Sequence, residues 1–288
     1  MITRRCSERR FFLRPDPETN NAFIYCLALA AQKYGVEVIF TVTMSNHHHT
    51  GVVDVAGALP DFLAHFHKLV AKHQNALRGR WEAMWAVEQT SVVELVEPQD
   101  VFEKMVYALA NPVSAHLVEM VHHWPGVSSL ATTIAGRPLV ANRPKTFFRS
   151  DGDMPASVRL PLFVPPELTR DSHAAFVVRL KERIRVAEQA TGIERSHTGK
   201  RIVGRAVVRA QHWNDSPRSP EPRRGLDPRV ACKNTWRRIE ALARNKAWLD
   251  SYRRARAAFV AGVDATFPAG TFWLHRYAGV PCDPFASG

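Results

Sequence analysis

Cysteine is scarce in this chain of 288 residues, and its four cysteines form no recognised pattern. Cys6, Cys26, Cys232 and Cys282 lie far apart, and none of them belongs to a Cys-x-x-Cys pair. Zinc knuckles and disulfide frameworks both require characteristic cysteine spacings, so the sequence favours neither. A chain of this kind suits a reducing compartment, and we expect a cytoplasmic protein.

The chain also lacks long apolar runs and internal repeats. No apolar stretch reaches the 18 residues that suggest a membrane span, and the N-terminal residues contain no apolar core of a secretory signal. Hydrophobic residues still make up 45% of the chain, which is typical of a globular protein. The composition therefore predicts a folded protein with no membrane partner.

An acidic excess is absent as well, and the positive charge is unevenly distributed. Residues 1–144 carry 13 Lys and Arg against 13 Asp and Glu, whereas residues 145–288 carry 26 against 14, so the whole net charge of +12 lies in the second half. Arginine suits phosphate because its planar fork binds two oxygens at once. We therefore predict that residues 145–288 contact nucleic acid, although an arginine-rich proteome would give the same composition.

Three consecutive histidines, His47, His48 and His49, lie between two β-branched runs at 36–43 and 50–55. Both runs predict strands, and side chains alternate between the faces of a strand. His47 and His49 should therefore face the same way, about 7 Å apart along the backbone, while His48 faces the opposite way. Neutral histidine is the commonest metal ligand among side chains, so the outer pair is a candidate half of a metal site. A chance triplet on a loop is the alternative.

Residues 101–112 predict an amphipathic helix, because apolar side chains recur there at helical spacing. The apolar stripe consists of Phe102, Met105, Val106 and Leu109. Tyr107 lies beside the stripe, and Asn111 shares its side of the helix because it follows four residues later. A hydroxyl and an amide oxygen on one helix face could close over a histidine pair.

Asn111 also has a purely structural interpretation. It precedes Pro112, and asparagine followed by proline commonly starts a helix. On this interpretation a second helix runs from 112 to about 122. Elsewhere the pattern predicts helices over about 16–34 and 59–77 and a strand over 92–96.

Three sequence blocks together resemble the REP-associated tyrosine transposases, a group within the HUH single-strand transposases. The blocks are Asn46-His47-His48-His49, Tyr107-x-x-x-Asn111-Pro112-Val113 and Trp124-Pro125-Gly126-Val127-Ser128-Ser129. Their order matches the family from about residue 2 to residue 130, and the combination is specific where no single block would be. The middle position of the histidine block is usually hydrophobic in that family, so His48 is a departure from it.

The resemblance implies an α+β fold: a ferredoxin-like catalytic domain over residues 1–144, with the element order β-α-β-β-α-β and an added helix. A basic, partly helical C-terminal region would occupy residues 145–288. The resemblance further implies that His47 and His49 hold a divalent metal, Mg²⁺ or Mn²⁺, with Asn111 as the third ligand. It implies that Tyr107 is the nucleophile.

The implied activity is the nicking and rejoining of single-stranded DNA through a 5′-phosphotyrosine intermediate during transposition. The implied partners are single-stranded DNA and hairpin-forming repeats, in the bacterial cytoplasm and nucleoid, and both a monomer and a homodimer remain open.

Two alternatives fit the same residues. A domesticated, non-catalytic nucleic-acid-binding protein would keep the fold and lose the metal, and the unusual His48 would be a reason for that loss. A metal-dependent hydrolase would instead combine the histidines with carboxylates such as Asp54. A covalent protein–DNA adduct separates the transposase from both.

Overall fold

The computed structural model describes residues 1–88, 90–218 and 228–284. Its contacts divide the chain into two compact units, Met1–Arg229 and Val230–Gly288. This boundary lies well beyond residue 144, where the sequence pattern places the end of the first domain. Parts of the predicted basic region, residues 219–227 and 285–288, lie outside the described residues.

The first unit mixes strands and helices throughout. Its strands are β1 (Ile2–Arg5), β2 (Val36–Met44), β3 (His47–Asp54), β4 (Ser91–Val92), β5 (Glu94–Leu95), β6 (Leu139–Asn142) and β7 (Ser157–Leu160). Its α-helices are α1 (Pro17–Tyr34), α2 (Leu59–Arg78), α3 (Pro98–Ser114), α4 (Leu130–Ala135), α5 (His173–Thr198) and α6 (Arg205–Ala210). The predicted helices over 16–34 and 59–77 are confirmed, whereas the predicted strand over 92–96 is broken into β4 and β5 at Val93.

Strands β1 to β4 form one sheet in the spatial order β2-β3-β1-β4. Each neighbouring pair whose register is defined is antiparallel, and the register places Thr3 opposite His49 and Arg5 opposite His47. The fold class is therefore α+β, as predicted. The histidine run lies within the sheet, at the start of β3, and the two-residue turn Ser45–Asn46 connects it to β2.

A hydrophobic core lies on each side of this sheet, and a bulge in β2 lets that strand contribute side chains to both cores. Val36 and Val38 belong to the core that contains α1 and α2, whereas Phe40 and Val42 belong to the core that contains α3. The register shifts between Val38 and Phe40, and one extra residue exchanges the faces of the residues that follow. Phe40 also lies across Gly51, where a Cβ atom would approach its ring to 2.2 Å.

Helix α3 continues through Pro112, which corrects the predicted helix junction at Asn111. The helix ends at Ser114, and the N–H of Ala115 donates to the carbonyl of Asn111. A proline removes one hydrogen bond and crowds the preceding turn, and here it stands only two residues before the end of the helix. The predicted second helix over 112–122 is absent; residues 115–120 form turns and Val121–His123 forms one turn of 3-10 helix.

Residues after 144 complete the first unit, which explains the position of its boundary. β6 and β7 pair across residue 144, with Leu139 opposite Leu160. Helix α5 adds Phe176, Leu180 and Ile184 to the core that contains α3. These long-range contacts mean that residues 1–144 alone lack part of both cores.

The second unit contains a two-residue strand, β8 (Val230–Ala231), and the helices α7 (Thr235–Val260) and α8 (Trp273–Ala278). Its small core consists of Ala255, Phe267 and Val280. The Trp248 indole stacks on Tyr252 and donates to the carbonyl oxygen of Ala269 at 2.7 Å. Across the described residues of both units, every helix is either too short or too polar to traverse a lipid bilayer.

Candidate active site

His47 and His49 lie together on one face of β3, and His48 lies on the other. The ring centroids of His47 and His49 are 4.9 Å apart, and that of His49 is 5.9 Å from the ring of Tyr107 on α3. His48 instead contacts Phe23 and Phe66 in the core beneath α1 and α2. This is the placement that strand alternation predicts.

One ring nitrogen of each outer histidine is occupied by a neighbouring side chain. His47 Nδ1 lies 2.7 Å from Asn46 Oδ1, and His49 Nδ1 lies 2.8 Å from the Thr3 hydroxyl. Because the amide oxygen only accepts, Nδ1 of His47 carries its proton, and Nε2 keeps a free lone pair. Such a bond at one nitrogen orients a ligating imidazole and fixes its tautomer. Within the described residues neither Nε2 atom has a hydrogen-bond partner.

Burial keeps both outer histidines neutral. It lowers the pKa of His47 well below the ordinary value, and the positive charges of Arg5 and Arg9 act in the same direction together with His49. Burial, Arg5 and Lys104 lower the pKa of His49 to about 4. A neutral imidazole is the form that binds a metal, so at neutral pH no proton has to be displaced from either ring.

Tyr107 lies at the open side of this pair, and its side chain is 52% exposed. Lys104, one turn earlier on α3, holds its Nζ atom 5.2 Å from the centroid of the Tyr107 ring. The ammonium group can therefore stabilise negative charge on the phenol oxygen or on a phosphate beside it. A half-exposed tyrosine whose ring lies beside an ammonium group has the access that a nucleophile requires.

Asn111 lies one turn after Tyr107 on α3 and is partly buried. Its side-chain amide makes no hydrogen bond to the described part of the chain, so the oxygen is available as a ligand. The helix places Tyr107 and Asn111 on one side, as the i, i+4 spacing predicts. No hydrogen bond joins the Asn111 side chain to either outer histidine among the described residues.

His48 occupies a closed aromatic site rather than the polar or partly open layer in which a histidine would be easiest to accommodate. It is fully buried, with Nε2 3.1 Å from His67 Nε2 and Nδ1 3.0 Å from the Thr50 hydroxyl. Trp85 lies against both histidine rings. Since both nitrogens are bonded inside the core, His48 is a packing residue and has no free lone pair for a metal.

Other candidate residues are used elsewhere. Both Asp54 carboxylate oxygens accept from backbone N–H groups at the start of α2, which removes the carboxylate that a hydrolase would need beside the histidines. Tyr25 is buried and donates to the carbonyl oxygen of Pro155, and Tyr34 packs against His65. Of the rival tyrosines, Tyr277 in the second unit is exposed and Tyr252 is stacked.

The sequence pattern gives no role to four residues that shape this site. These residues are Thr3, Asn46, His67 and Lys104. Asn46 precedes the histidine run and Lys104 lies three residues before Tyr107, so their positions could have suggested a role. Thr3 and His67 carry no such signal, because β1 and α2 reach β3 only through the tertiary fold.

The chain has no match among the protein-family models, the curated proteins or the solved structures with which it was compared. The geometry of its own residues therefore carries the functional assignment.

Proposed function

We propose that this protein nicks and rejoins single-stranded DNA through a covalent 5′-phosphotyrosine at Tyr107, in the manner of a REP-associated tyrosine transposase. One observation carries the proposal. The half-exposed Tyr107 lies against the ring of His49, which in turn lies against the ring of His47, and neither histidine has an Nε2 hydrogen-bond partner among the described residues. A tyrosine on a helix surface with no such neighbours would support no chemistry.

The donor set fits a divalent cation. Two imidazole nitrogens, His47 Nε2 and His49 Nε2, would hold it together with the amide oxygen of Asn111, and phosphate or water oxygens would complete its shell. Mg²⁺ prefers oxygen ligands whereas imidazole also suits transition metals, so Mn²⁺ is the better match to a site with two histidines. When bound, such an ion polarises the scissile phosphate as a Lewis acid.

The chain's own groups account for the remaining steps. The Tyr107 oxygen, after losing its proton to solvent, attacks phosphorus; the new Oη–P bond replaces the P–O3′ bond, and the leaving 3′-oxygen takes up a proton. Lys104 holds positive charge beside the Tyr107 ring, where it would attract the phosphate. The covalent intermediate conserves the energy of the broken bond, so a 3′-hydroxyl can attack it and release the tyrosine.

The strand order and the charge support the same proposal. The order β2-β3-β1-β4, with helices between β1 and β2 and between β3 and β4, is the arrangement expected of a ferredoxin-like catalytic domain. Residues 145–229 carry 17 Lys and Arg against 10 Asp and Glu, and residues 230–288 carry 9 against 4. Both segments therefore supply positive charge that a DNA strand would neutralise.

Covalent capture of the full chain on a single-stranded oligonucleotide, in the presence of Mn²⁺, tests the proposal. The wild type should give a protein–DNA adduct that survives denaturation, with the DNA attached to the peptide containing Tyr107. Tyr107→Phe should abolish the adduct and leave DNA affinity within about twofold, because only the nucleophilic oxygen is lost.

Tyr277→Phe is the matched control, since Tyr277 is also exposed on a helix. It should form the adduct at the wild-type rate. DNA binding without any adduct in the wild type would favour the non-catalytic binding protein, and an adduct that persists in Tyr107→Phe would assign the nucleophile to another residue.

A further inference from the structure

A cavity of about 660 Å³ lies in the first unit beside α4, β7 and the start of α5. None of its lining residues belongs to the candidate active site. Its polar lining consists of Thr132, Thr133, Arg137, Arg159, Thr169 and His173. A volume of this size lies within the range of pockets that hold small organic ligands.

The polar lining is entirely neutral or basic. Arg137 and Arg159 are exposed, and their guanidinium groups make no hydrogen bond or ion pair with the described residues. His173 is the first residue of α5, a helix of 26 residues, whose N-terminus adds a partial positive charge. Because no acidic residue in the described part of the chain lines the cavity, its charge favours an anionic ligand.

The rest of the lining includes an apolar set of side chains. This set consists of Pro138, Pro161, Leu162 and Val164. Free phosphate would leave such a surface unused, whereas a planar base could lie against it. Thr133 also lines the cavity, and its buried hydroxyl has no hydrogen-bond partner among the described residues.

We propose that this cavity binds one unpaired nucleotide of a DNA strand, with its phosphate held by Arg137 and Arg159 and its base against the apolar wall. The inference rests on the proposed function only for the choice of DNA as the source of the nucleotide. Guanidinium groups bind phosphate bidentately, and the flat face of an unpaired base buries apolar surface against such a wall.

Fluorescence anisotropy of the full chain with a labelled oligothymidylate, which forms no hairpin, tests the inference. Arg137→Gln/Arg159→Gln should weaken binding by at least about tenfold, as expected for two lost charge-assisted contacts. Arg201→Gln/Arg205→Gln is the matched control, because both arginines are exposed in the same unit and lie outside the cavity. It should weaken binding by less than about threefold. Equal losses in the two variants would overturn the inference.

Photocrosslinking with 5-iododeoxyuridine in the same oligonucleotide locates the base directly. Crosslinks should map to the peptides that line the cavity, and crosslinks confined to other peptides would overturn the inference. Competition distinguishes a nucleotide from a simple anion. Thymidine monophosphate should displace the oligonucleotide at a lower concentration than inorganic phosphate does. Equal competition by the two would show that only the anion is bound and would defeat the assignment to a nucleotide.

Covalent adduct formation, measured in parallel, separates this inference from the proposed function. A wild type that binds through the cavity and forms no adduct would defeat the nicking activity and leave the nucleotide site standing. If the wild type forms the adduct and the Arg137→Gln/Arg159→Gln variant keeps its affinity, the nicking activity would stand and the nucleotide site would be defeated.

Discussion

On one face of β3, the ring of His49 lies between those of His47 and the half-exposed Tyr107, and neither outer histidine has an Nε2 hydrogen-bond partner in the described part of the chain. On the other face, His48 is enclosed by aromatic rings and has both nitrogens bonded. The three residues are identical and consecutive. Burial keeps all three neutral, since it lowers the pKa of each one. Residue type and protonation state therefore do not distinguish the two faces, whereas the hydrogen-bond partners of the ring nitrogens do.

Removing the outer pair should have the largest effect on metal binding. In His47→Ala/His49→Ala we expect Mn²⁺ affinity, measured by isothermal titration calorimetry, to fall below detection, because both imidazole ligands are lost. The free energy of unfolding should fall by about 2 kcal/mol, because His49 is buried and His47 is partly buried. His197→Ala, at an exposed position of α5, should change neither quantity. Unchanged Mn²⁺ affinity in the double variant would remove the distinction between the two faces.

Truncating His48 should lower stability and leave metal affinity nearly unchanged. We expect His48→Ala to lower the free energy of unfolding by about 3 kcal/mol, because it leaves a cavity among aromatic rings and deprives His67 and Thr50 of their partner. Mn²⁺ affinity per folded molecule should stay within about twofold. Urea unfolding and calorimetry on the same samples check both statements, and a selective loss of metal affinity would show that His48 belongs to the site after all.

Acid should destabilise the buried face in a defined pH range. Burial lowers the pKa of His67 to about 3, and the positive charge of Arg4 lowers it further. Burial also lowers the pKa of His48 well below the ordinary value, and the neighbouring histidines and Arg4 add to that shift. The unfolded chain therefore binds more protons than the folded chain below about pH 6.5. Stability is complete above that pH and is lost as the pH falls toward 3.

Replacing the pair by apolar residues isolates this contribution. Between pH 6 and 5, the wild type should lose about 2 kcal/mol more unfolding free energy than His48→Phe/His67→Leu, because each of the two histidines contributes about 1 kcal/mol over this range. Urea unfolding at each pH measures the difference. Parallel pH profiles for the two proteins would mean that the buried histidines do not resist protonation.

The smallest effect should come from Asn111, because water can replace a single neutral ligand. Asn111→Ala should weaken Mn²⁺ binding by about threefold to tenfold, and Asn111→Asp should strengthen it because a carboxylate is a better ligand for this cation. Asn111→Leu keeps the size of the side chain and should behave like the alanine variant. Identical affinities in all three variants would place Asn111 outside the site and leave the two histidines as the only protein ligands among the predicted set.

Local periodicity determined much of the candidate site. The alternation of a strand puts His47 and His49 on one face whatever surrounds them, and the turn of a helix puts Tyr107 and Asn111 on one side of α3. The same local rules give α1, α2 and β2 nearly to the residue. They do not predict the end of α3. A proline near the end of a helix destabilises it less than one in the middle, and the sequence pattern does not show where the helix ends.

Only the tertiary structure decided which elements meet. His67 lies 19 residues from its partner His48 on a different element, and α5 lies more than 60 residues after the core of α3 that it completes. Helix α5 has little amphipathic periodicity in its sequence because most of its surface is exposed and charged. Its few buried residues therefore gave no sign that the first unit extends beyond residue 144. Contacts between distant segments depend on shape and burial that no local pattern encodes, whereas the face of a strand is fixed by its own backbone.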